Sequence, residues 1–206
     1  MSTAPLIHVV DDDQSMRIAL LRLLTAAGFE ARGYGSTGEF LVQPLLDRPG
    51  CLLLDVRLPG PSGLDLQAAL QRQGVTLPVV FLTGHANVAA SVQAMKAGAV
   101  DFLTKPVERD VLLDAVRRAI ARDATQRTER EEKSRLQLRF ASLTKREREV
   151  LGLIVAGKLN KQIADELGIA ERTVKRARGQ VMEKLNASSA AELGRLAQLL
   201  QDSIAR

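Results

Sequence analysis

The sequence predicts two parts of different fold class: an α/β domain built on a parallel sheet, followed by an all-α domain. Over residues 6–122, short apolar runs alternate five times with longer amphipathic segments, a pattern typical of a parallel sheet covered on both faces by helices. From residue 143 onward, one helical pattern follows another. A chain of 206 residues with 46% hydrophobic composition is long enough for two small domains with ordinary cores.

The five apolar runs are the predicted strands, in order LIHVV, EARGY, CLLLD, PVVFLT and VDFLT. Each run precedes a helical segment. The first of these, in SMRIALLRLLTAAG, places Leu20 and Leu24 on one stripe and ends at Gly28, and NVAASVQAMKAG ends in the same way at Gly98. Alternation of this kind favours a sheet of five parallel strands.

A charged segment separates the two predicted domains. The stretch ARDATQRTEREEKSRLQLRF has neither Gly nor Pro, so we expect it to continue the fifth helix, with a disordered tether as the alternative. Beyond it, Thr144 and Glu147 form a capping box, and Gly157 and Gly168 mark helix ends. The expected organisation is an α/β domain at 1–122, a helical linker at 123–141 and a four-helix domain at 142–206.

The formal net charge of +5 is concentrated in the second half of the chain. Residues 1–106 carry 8 Lys and Arg against 9 Asp and Glu, whereas residues 107–206 carry 21 against 15. This excess indicates a polyanionic partner for the second half. The single cysteine, Cys51, lies in an apolar run and is predicted to be a core residue in a reducing compartment. No apolar run approaches the roughly 20 residues of a membrane span, so we expect a cytoplasmic protein with no membrane partner.

Polar side chains stand at the carboxyl ends of four predicted strands. They are Asp11 and Asp12 after the first, Asp55 after the third, Thr83 after the fourth and Lys105 after the fifth. These ends meet at one edge of an open parallel sheet. Clustered carboxylates need a compensating cation, and oxygen ligands favour Mg²⁺. A hydroxyl and an ammonium beside such an ion suit a phosphoryl group, so the site is predicted to carry phosphate on a carboxylate.

Four motifs, VVDDDQSMR, LLLDVRLPGPSGLDL, VVFLTGHANV and AGAVDFLTKP, resemble the receiver domain of two-component response regulators in order and spacing, over residues 5–122. The resemblance implies a flavodoxin-like fold with Asp55 as the phosphoacceptor. It also implies that Asp12, Asp55 and the Arg57 backbone carbonyl bind Mg²⁺ directly, and that Asp11 helps through water.

The same resemblance assigns the residues that respond to phosphate. Thr83 and Lys105 would bind phosphoryl oxygens, and a cis peptide bond would precede Pro106. Phe102 would turn inward when Thr83 moves, and the alternative is that it is an ordinary core residue. His85 could be a general base for phosphate loss or a loop histidine, and we favour the loop histidine because nothing in the sequence fixes its distance from Asp55.

An enzyme of a different class fits part of the pattern. The stretch DDDQS also satisfies the motif of haloacid-dehalogenase-like phosphatases, with Asp11 as nucleophile and Asp13 as acid/base. That family needs a further acidic pair after its lysine to hold its metal, whereas Glu108 and Asp110 are predicted to fall on a helix. The phosphatase interpretation also leaves Asp55 unexplained. In the receiver interpretation, Asp13 instead lies at the start of the first helix, where exposed amide groups favour a carboxylate.

The segment NKQIADELGIAERTVKRARGQVMEKL predicts a helix-turn-helix, with a first helix over 161–167, a turn through Gly168 and a second helix beginning at residue 171 or 172. The second helix carries four cations with no acid among them, namely Arg172, Lys175, Arg176 and Arg178. Its predicted inner face is Val174, Val181 and Leu185. This division between cationic and apolar residues suits a helix that binds in the major groove of DNA. A solvated surface helix would explain why the residues are charged, but not why four cations occur without an acid among them.

Residues 142–200 resemble the LuxR-type DNA-binding domain, through LTKREREVL, AGKLNKQIADELGIAERTVK and MEKL. With the receiver, this order resembles the NarL/FixJ class of response regulators. The resemblance implies that Lys161 and Thr173 contact phosphate and that Lys175, Arg176 and Arg178 face the groove. Members commonly have a small apolar residue and then His after TVK, whereas this chain has Arg-Ala, which leaves its half-site preference open.

Together the resemblances imply a phosphorylation-dependent transcriptional regulator and not an enzyme. Its implied partners are a sensor histidine kinase, promoter DNA, RNA polymerase and, on phosphorylation, a second copy of the chain. A protein-binding adaptor without DNA binding is a further alternative.

Overall fold

The fold was analysed in a computed structural model, which describes residues 4–44, 47–84 and 88–204, with side chains as far as residue 199. The chain forms two compact units, Met1–Arg127 and Thr128–Arg206. The first unit contains a parallel sheet flanked by helices and the second is helical. Both predicted fold classes are therefore confirmed.

In the described part of the first unit, strands and helices alternate as predicted. The elements are β1 (Leu6–Val10), α1 (Gln14–Ala26), β2 (Glu30–Tyr34), α2 (Thr37–Leu41), β3 (Gly50–Asp55), α3 (Gly63–Arg72), β4 (Val79–Thr83), α4 (Val88–Lys96), β5 (Asp101–Thr104) and α5 (Arg109–Ala141). The last of these continues through the predicted linker, which is therefore helical.

The sheet has the order β2-β1-β3-β4-β5 with every pair parallel, which is the expected flavodoxin-like arrangement. Val10 of β1 is in register with Leu54 of β3, and Thr83 of β4 is in register with Thr104 of β5. The carboxyl ends of β1, β3, β4 and β5 consequently lie side by side at one edge of the sheet.

Two hydrophobic cores cover the two faces of the sheet, because successive strand residues point to opposite sides. One core includes Ile7, Val9, Leu53, Leu82 and residues of α1 and α5. The other includes Leu52, Leu54, Phe81 and residues of α2, α3 and α4. Cys51 is fully buried in the first core, as predicted, and burial raises the pKa of its thiol to about 12.

The first unit extends a few residues beyond the boundary predicted at 122. Asp123 on α5 is buried, and its carboxylate accepts hydrogen bonds from the Gly50 amide at 2.9 Å and from Arg127 at 2.8 Å. Arg127 also pairs with Asp47. These bonds hold the first turns of the expected linker against the start of β3, since a buried carboxylate needs partners.

The described part of the second unit contains α6 (Lys145–Val155), α7 (Asn160–Leu167), α8 (Glu171–Leu185) and α9 (Ala190–Ile204). The predicted capping box is present: Thr144 and Glu147 bond each other's backbone amides at the start of α6. Gly168 ends α7 with a φ of 64°, a left-handed conformation that favours glycine. Among the described helices, none is long and apolar enough to span a bilayer.

Candidate functional site

Three consecutive aspartates follow β1, and the structure separates their roles. Asp11 is buried, with a relative exposure of 1%, whereas Asp12 is exposed. Asp13 caps α1, because its carboxylate accepts hydrogen bonds from the amides of Ser15 at 2.8 Å and Met16 at 3.1 Å. The predicted helix-start position of Asp13 is confirmed, which leaves the first two carboxylates for the site.

Asp55 ends β3 and is held by the backbone of the following loop. One carboxylate oxygen accepts a hydrogen bond from the Arg57 amide at 2.9 Å. The helix α3 begins so close to this strand end that a Cβ on Gly63 would lie 2.2 Å from the Asp55 carbonyl oxygen. Only glycine fits there, a requirement that sequence reasoning missed although LPGPSG contains the residue.

Lys105 joins the carboxylates of two strands. Its Nζ donates hydrogen bonds to Oδ2 of Asp11 at 2.6 Å and to Oδ2 of Asp55 at 2.5 Å. The side chain is largely buried, with an exposure of 13%. The bond between Lys105 and Pro106 is cis, as predicted. The cation therefore neutralises charge that would otherwise accumulate between two buried acids.

The electrostatics of this group are set by burial and by the ion pairs. Burial raises the pKa of Asp11 above its usual value, and the hydrogen bond from Lys105 opposes that rise only in part. Burial alone would lower the pKa of Lys105, but its hydrogen bonds to Asp11 and Asp55 outweigh that effect and raise it. Lys105 consequently stays protonated at neutral pH.

A divalent cation fits the acidic group. Asp11, Asp12 and Asp55 each offer a carboxylate oxygen, and these atoms all lie within 4.8 Å of one another. The backbone of Arg57 lies beside them, because its amide contacts Asp55. An oxygen-only donor set with one exposed carboxylate suits Mg²⁺, which keeps several waters and takes few protein ligands.

Thr83 and Phe102 stand on the neighbouring strands. Thr83 is 2% exposed at the end of β4, and its carbonyl accepts a hydrogen bond from the Lys105 amide at 2.7 Å. Phe102 on β5 is half-buried, with its ring centroid 6.0 Å from that of Phe81. The two residues expected to respond to phosphate thus occupy adjacent strands. His85 lies outside the described residues.

Arg17 is a contact of this site that the sequence did not reveal. Its guanidinium donates a hydrogen bond to the backbone carbonyl of Asp11 at 2.6 Å. A Cβ on Gly33 of β2 would meet Leu21 at 2.9 Å and the stem of Arg17 at 3.0 Å, so glycine leaves the space that this arginine occupies. Only the spatial pairing of α1 with β2 brings these residues together.

A second candidate site is the exposed face of α8. The helix buries Val174, Ala177, Val181 and Leu185 against its own unit. Arg172, Thr173, Lys175 and Arg176 are exposed, and none of the three cations forms an ion pair within the described part of the chain. On the preceding helix, Lys161 is also exposed. An unpaired cationic face of this kind can bind a polyanion.

Arg178 is less exposed than Lys175 and Arg176, the other two residues expected to face the groove. The residue is half-buried, and its guanidinium donates a hydrogen bond to Oδ1 of Asn160 on α7 at 3.2 Å. Arg178 stands four residues after Val174 and three before Val181, so helical periodicity puts it near the packed side of α8. This position links the two helices to each other.

Comparison with protein families agrees with both sites. Residues 7–117 match the family described as response regulator receiver domain, and residues 141–197 match bacterial regulatory proteins of the luxR family.

Several curated proteins are similar to this chain over nearly its whole length and nearly their own. Nodulation protein W of Bradyrhizobium diazoefficiens is 46% identical over 97% of this chain and 88% of its own. The transcriptional regulatory protein FixJ of Azorhizobium caulinodans is 43% identical over 94% and 92%. Among solved structures, response regulator StyR aligns over 95% of this chain and 99% of its own, with 45% identity and a TM-score of 0.87. Full-length FixJ from B. japonicum aligns over 98% and 99%, with 38% identity and a TM-score of 0.59.

A cluster of three aspartates at the carboxyl edge of a flavodoxin-like sheet, followed by a helix-turn-helix, defines a regulator that joins a receiver to a DNA-binding domain. The chain belongs to the response regulators of two-component systems with a LuxR-type DNA-binding domain. It is a transcriptional regulator and not an enzyme of the phosphatase class that DDDQS also suggested.

Proposed function

We propose that Asp55 accepts a phosphoryl group from a sensor histidine kinase and that this modification controls promoter binding by the second unit. The observation that carries the proposal is the bridging of Asp11 and Asp55 by Lys105, at 2.6 and 2.5 Å, on the carboxyl edge of the parallel sheet. A carboxylate in this setting has a cation for the incoming phosphate and a hydroxyl, Thr83, on the next strand.

In the transfer, an oxygen of Asp55 forms a bond to phosphorus as the bond from phosphorus to the kinase histidine nitrogen breaks. Lys105 neutralises the charge of one phosphoryl oxygen, and the Thr83 hydroxyl donates a hydrogen bond to another. Since both Lys105 hydrogen bonds are made to carboxylates before the reaction, the ammonium is already in position.

Mg²⁺ would be held by Asp12, by Asp55 and by the Arg57 carbonyl, with Asp11 acting through water. The ion supplies charge neutralisation for the transferring group. The clustering of three carboxylates within 4.8 Å supports this assignment.

Phosphorylation would be transmitted through Thr83 to Phe102 and to α4, and would favour a homodimer. Phe102 is half-buried, so part of its ring lies at the surface, and it can turn inward only by changing its packing. The helix α4 exposes Val88, Val92 and Met95, so it offers an apolar surface that a second copy can cover. Dimerisation would pair two helix-turn-helix units on two half-sites.

The DNA contacts we propose are Lys161 and Thr173 to phosphate, with Lys175 and Arg176 facing the groove. Their exposure supports this assignment. Arg178, through its hydrogen bond to Asn160, is better suited to fixing the angle between α7 and α8. Bound at a promoter, the dimer would act on RNA polymerase in the cytoplasm.

The phosphoacceptor is tested by labelling the full-length chain with a phosphodonor and mapping the modified peptide. We expect the label on the peptide containing Asp55, complete loss in Asp55→Asn, and no loss in the matched control Asp110→Asn, whose side chain is 92% exposed on α5. A label on the peptide containing Asp11 would contradict the proposal. If the phosphorylated chain does not bind DNA even at low salt, the result would instead favour a protein-binding adaptor.

A further inference from the structure

The exposed face of α8 contains a glycine that nothing inside the described unit requires. Gly179 lies at the middle of this 15-residue helix and is exposed. A Cβ built there meets no heavy atom within 4 Å, and the residue does not have a positive φ. The fold would therefore accept alanine at this position, and alanine is the better helix former.

The position of Gly179 on the helix is not neutral. Residues four and seven apart share one face of an α-helix, so Gly179 lies in one row with Arg172, Arg176 and Glu183. The buried residues of α8 occupy the opposite side. Gly179 thus interrupts a row of long charged side chains on the surface that carries the unpaired cations.

A gap in such a row matters when a rigid body approaches. The major groove of DNA is about 12 Å wide, and an α-helix with its side chains is about 10 to 12 Å across, so the fit leaves little clearance. Without a side chain, the helix surface at one residue recedes toward the backbone cylinder, whose Cα radius is about 2.3 Å. A phosphodiester backbone or a base edge can then approach the helix closely.

We infer that Gly179 is a positioning residue for DNA: its missing side chain sets how deeply α8 enters the groove and so where Arg172 and Arg176 reach. The inference rests on the proposed DNA-binding function, which it makes more specific. Its cost is a less stable helix in the free protein, because glycine is a poor helix former.

The test is Gly179→Ala in the full-length chain, with Gly152→Ala and Gly194→Ala as matched controls. Both control glycines lie in other helices, α6 and α9, and a Cβ there also meets nothing within 4 Å. The probes are duplexes enriched from a random-sequence pool by the wild-type chain, and random-sequence duplex of the same length.

All three variants are expected to raise the unfolding temperature of the second unit, by about 4 to 8 °C if a unit of this size gains the usual glycine-to-alanine increment. Only Gly179→Ala is expected to weaken binding to the enriched duplexes, by about tenfold or more. This opposite response of stability and affinity cannot arise from a purely structural role, since a damaged fold would lower both.

Equal affinity of Gly179→Ala and wild type for the enriched duplexes would overturn the inference and leave the proposed function standing. A lower unfolding temperature in Gly179→Ala would also overturn it, because the glycine would then be needed by the fold itself. If the wild-type chain enriches no duplex either with or without a phosphodonor and Mg²⁺, the proposed function fails, and the inference fails with it.

Discussion

The aspartate site and the exposed face of α8 treat charge in opposite ways. At the end of the sheet, Lys105 is largely buried and pairs with two acids at 2.6 and 2.5 Å. On α8, Arg172 and Arg176 are exposed and have no acidic partner among the described residues. The first site compensates its charge internally, whereas the second leaves its charge for another molecule.

This difference predicts where substitutions act. A change in the aspartate site disturbs buried, coupled charges, so it should alter stability and chemistry together. A change on the face of α8 removes only solvated charge, so it should alter affinity for a polyanion and leave folding nearly unchanged.

The largest effect is expected for Lys105→Met. Without its ammonium, two buried carboxylates face each other uncompensated, so the free energy of unfolding should fall by about 3 kcal/mol and phosphate incorporation should be lost. Denaturant unfolding and a phosphodonor assay measure the two outcomes. Lys96→Met, at an exposed lysine of α4, is the control. Unchanged stability in Lys105→Met would show that the ion pairs are not maintained in solution.

Two arginines of one helix provide the next comparison. Arg176→Ala should weaken DNA binding by about tenfold and leave stability within about 0.5 kcal/mol of wild type. Arg178→Ala should lower stability by about 1 kcal/mol, since it removes the hydrogen bond to Asn160, and leave the salt dependence of binding unchanged.

Titrating both variants with salt decides between contact types. If Arg176 contacts phosphate, the loss should be uniform across sequences and the salt slope should fall by about one. If it contacts a base, the loss should be confined to some sequences. An equal fall of the salt slope in Arg178→Ala would mean that its side chain leaves Asn160 to reach DNA.

Asp11 and Asp12 form a matched pair with different burial. Because burial raises the pKa of Asp11, its ionised form is disfavoured in the folded chain, so Asp11→Asn should increase stability in metal-free buffer at pH 7. Asp12→Asn, at an exposed side chain, should leave stability unchanged. Both variants should bind Mg²⁺ more weakly in a calorimetric titration. A loss of stability in Asp11→Asn would mean that its bond to Lys105 outweighs its burial.

A pH dependence is expected from His8, which is 6% exposed and bonded to the Tyr34 hydroxyl at 3.0 Å. Burial, aided by Arg32 and Arg48, lowers the pKa of His8 from 6.5 to about 4. Between pH 6.5 and 4 the unfolded chain binds more protons at His8 than the folded chain does. The stability that the folded chain gains from its neutral His8 is therefore fully present above pH 6.5 and is lost as the pH falls toward 4.

His8→Gln removes the titrating group and keeps a polar atom beside Tyr34. The unfolding free energy of this variant should vary less between pH 6.5 and 4 than that of wild type. Identical pH profiles would show that His8 is not held in its neutral form.

The sequence predicted the parts of the molecule that follow from strand order. Asp11, Asp55, Thr83 and Lys105 each stand at the carboxyl end of a strand, and parallel pairing is sufficient to bring such ends together. The N-terminal cap formed by Asp13 depended only on local geometry, so it was predicted as well.

What the sequence did not predict depends on side-chain direction or on contacts between distant segments. The hydrogen bond of Arg178 to Asn160 was not predicted, because Arg178 was grouped with the other cations of α8 by its charge and not by the direction of its side chain around the helix axis. Asp123 lies in a run of charged residues, which predicts that its side chain is exposed to solvent. In the structure it is buried and bonds Gly50, a residue 73 positions away in the sequence. The contact of Arg17 with the Asp11 carbonyl is set by how α1 packs on the sheet.

The central claim, that modification of Asp55 controls DNA binding, is tested most directly by measuring affinity for an enriched duplex with and without a phosphodonor and Mg²⁺. The account predicts that the donor raises the affinity of the wild-type chain and of Asp110→Asn, within the range of about 5-fold to 150-fold usual for coupled sites, and leaves Asp55→Asn unchanged. A wild-type affinity that does not change when the donor is added, or an equal rise in the affinity of Asp55→Asn, would contradict this claim.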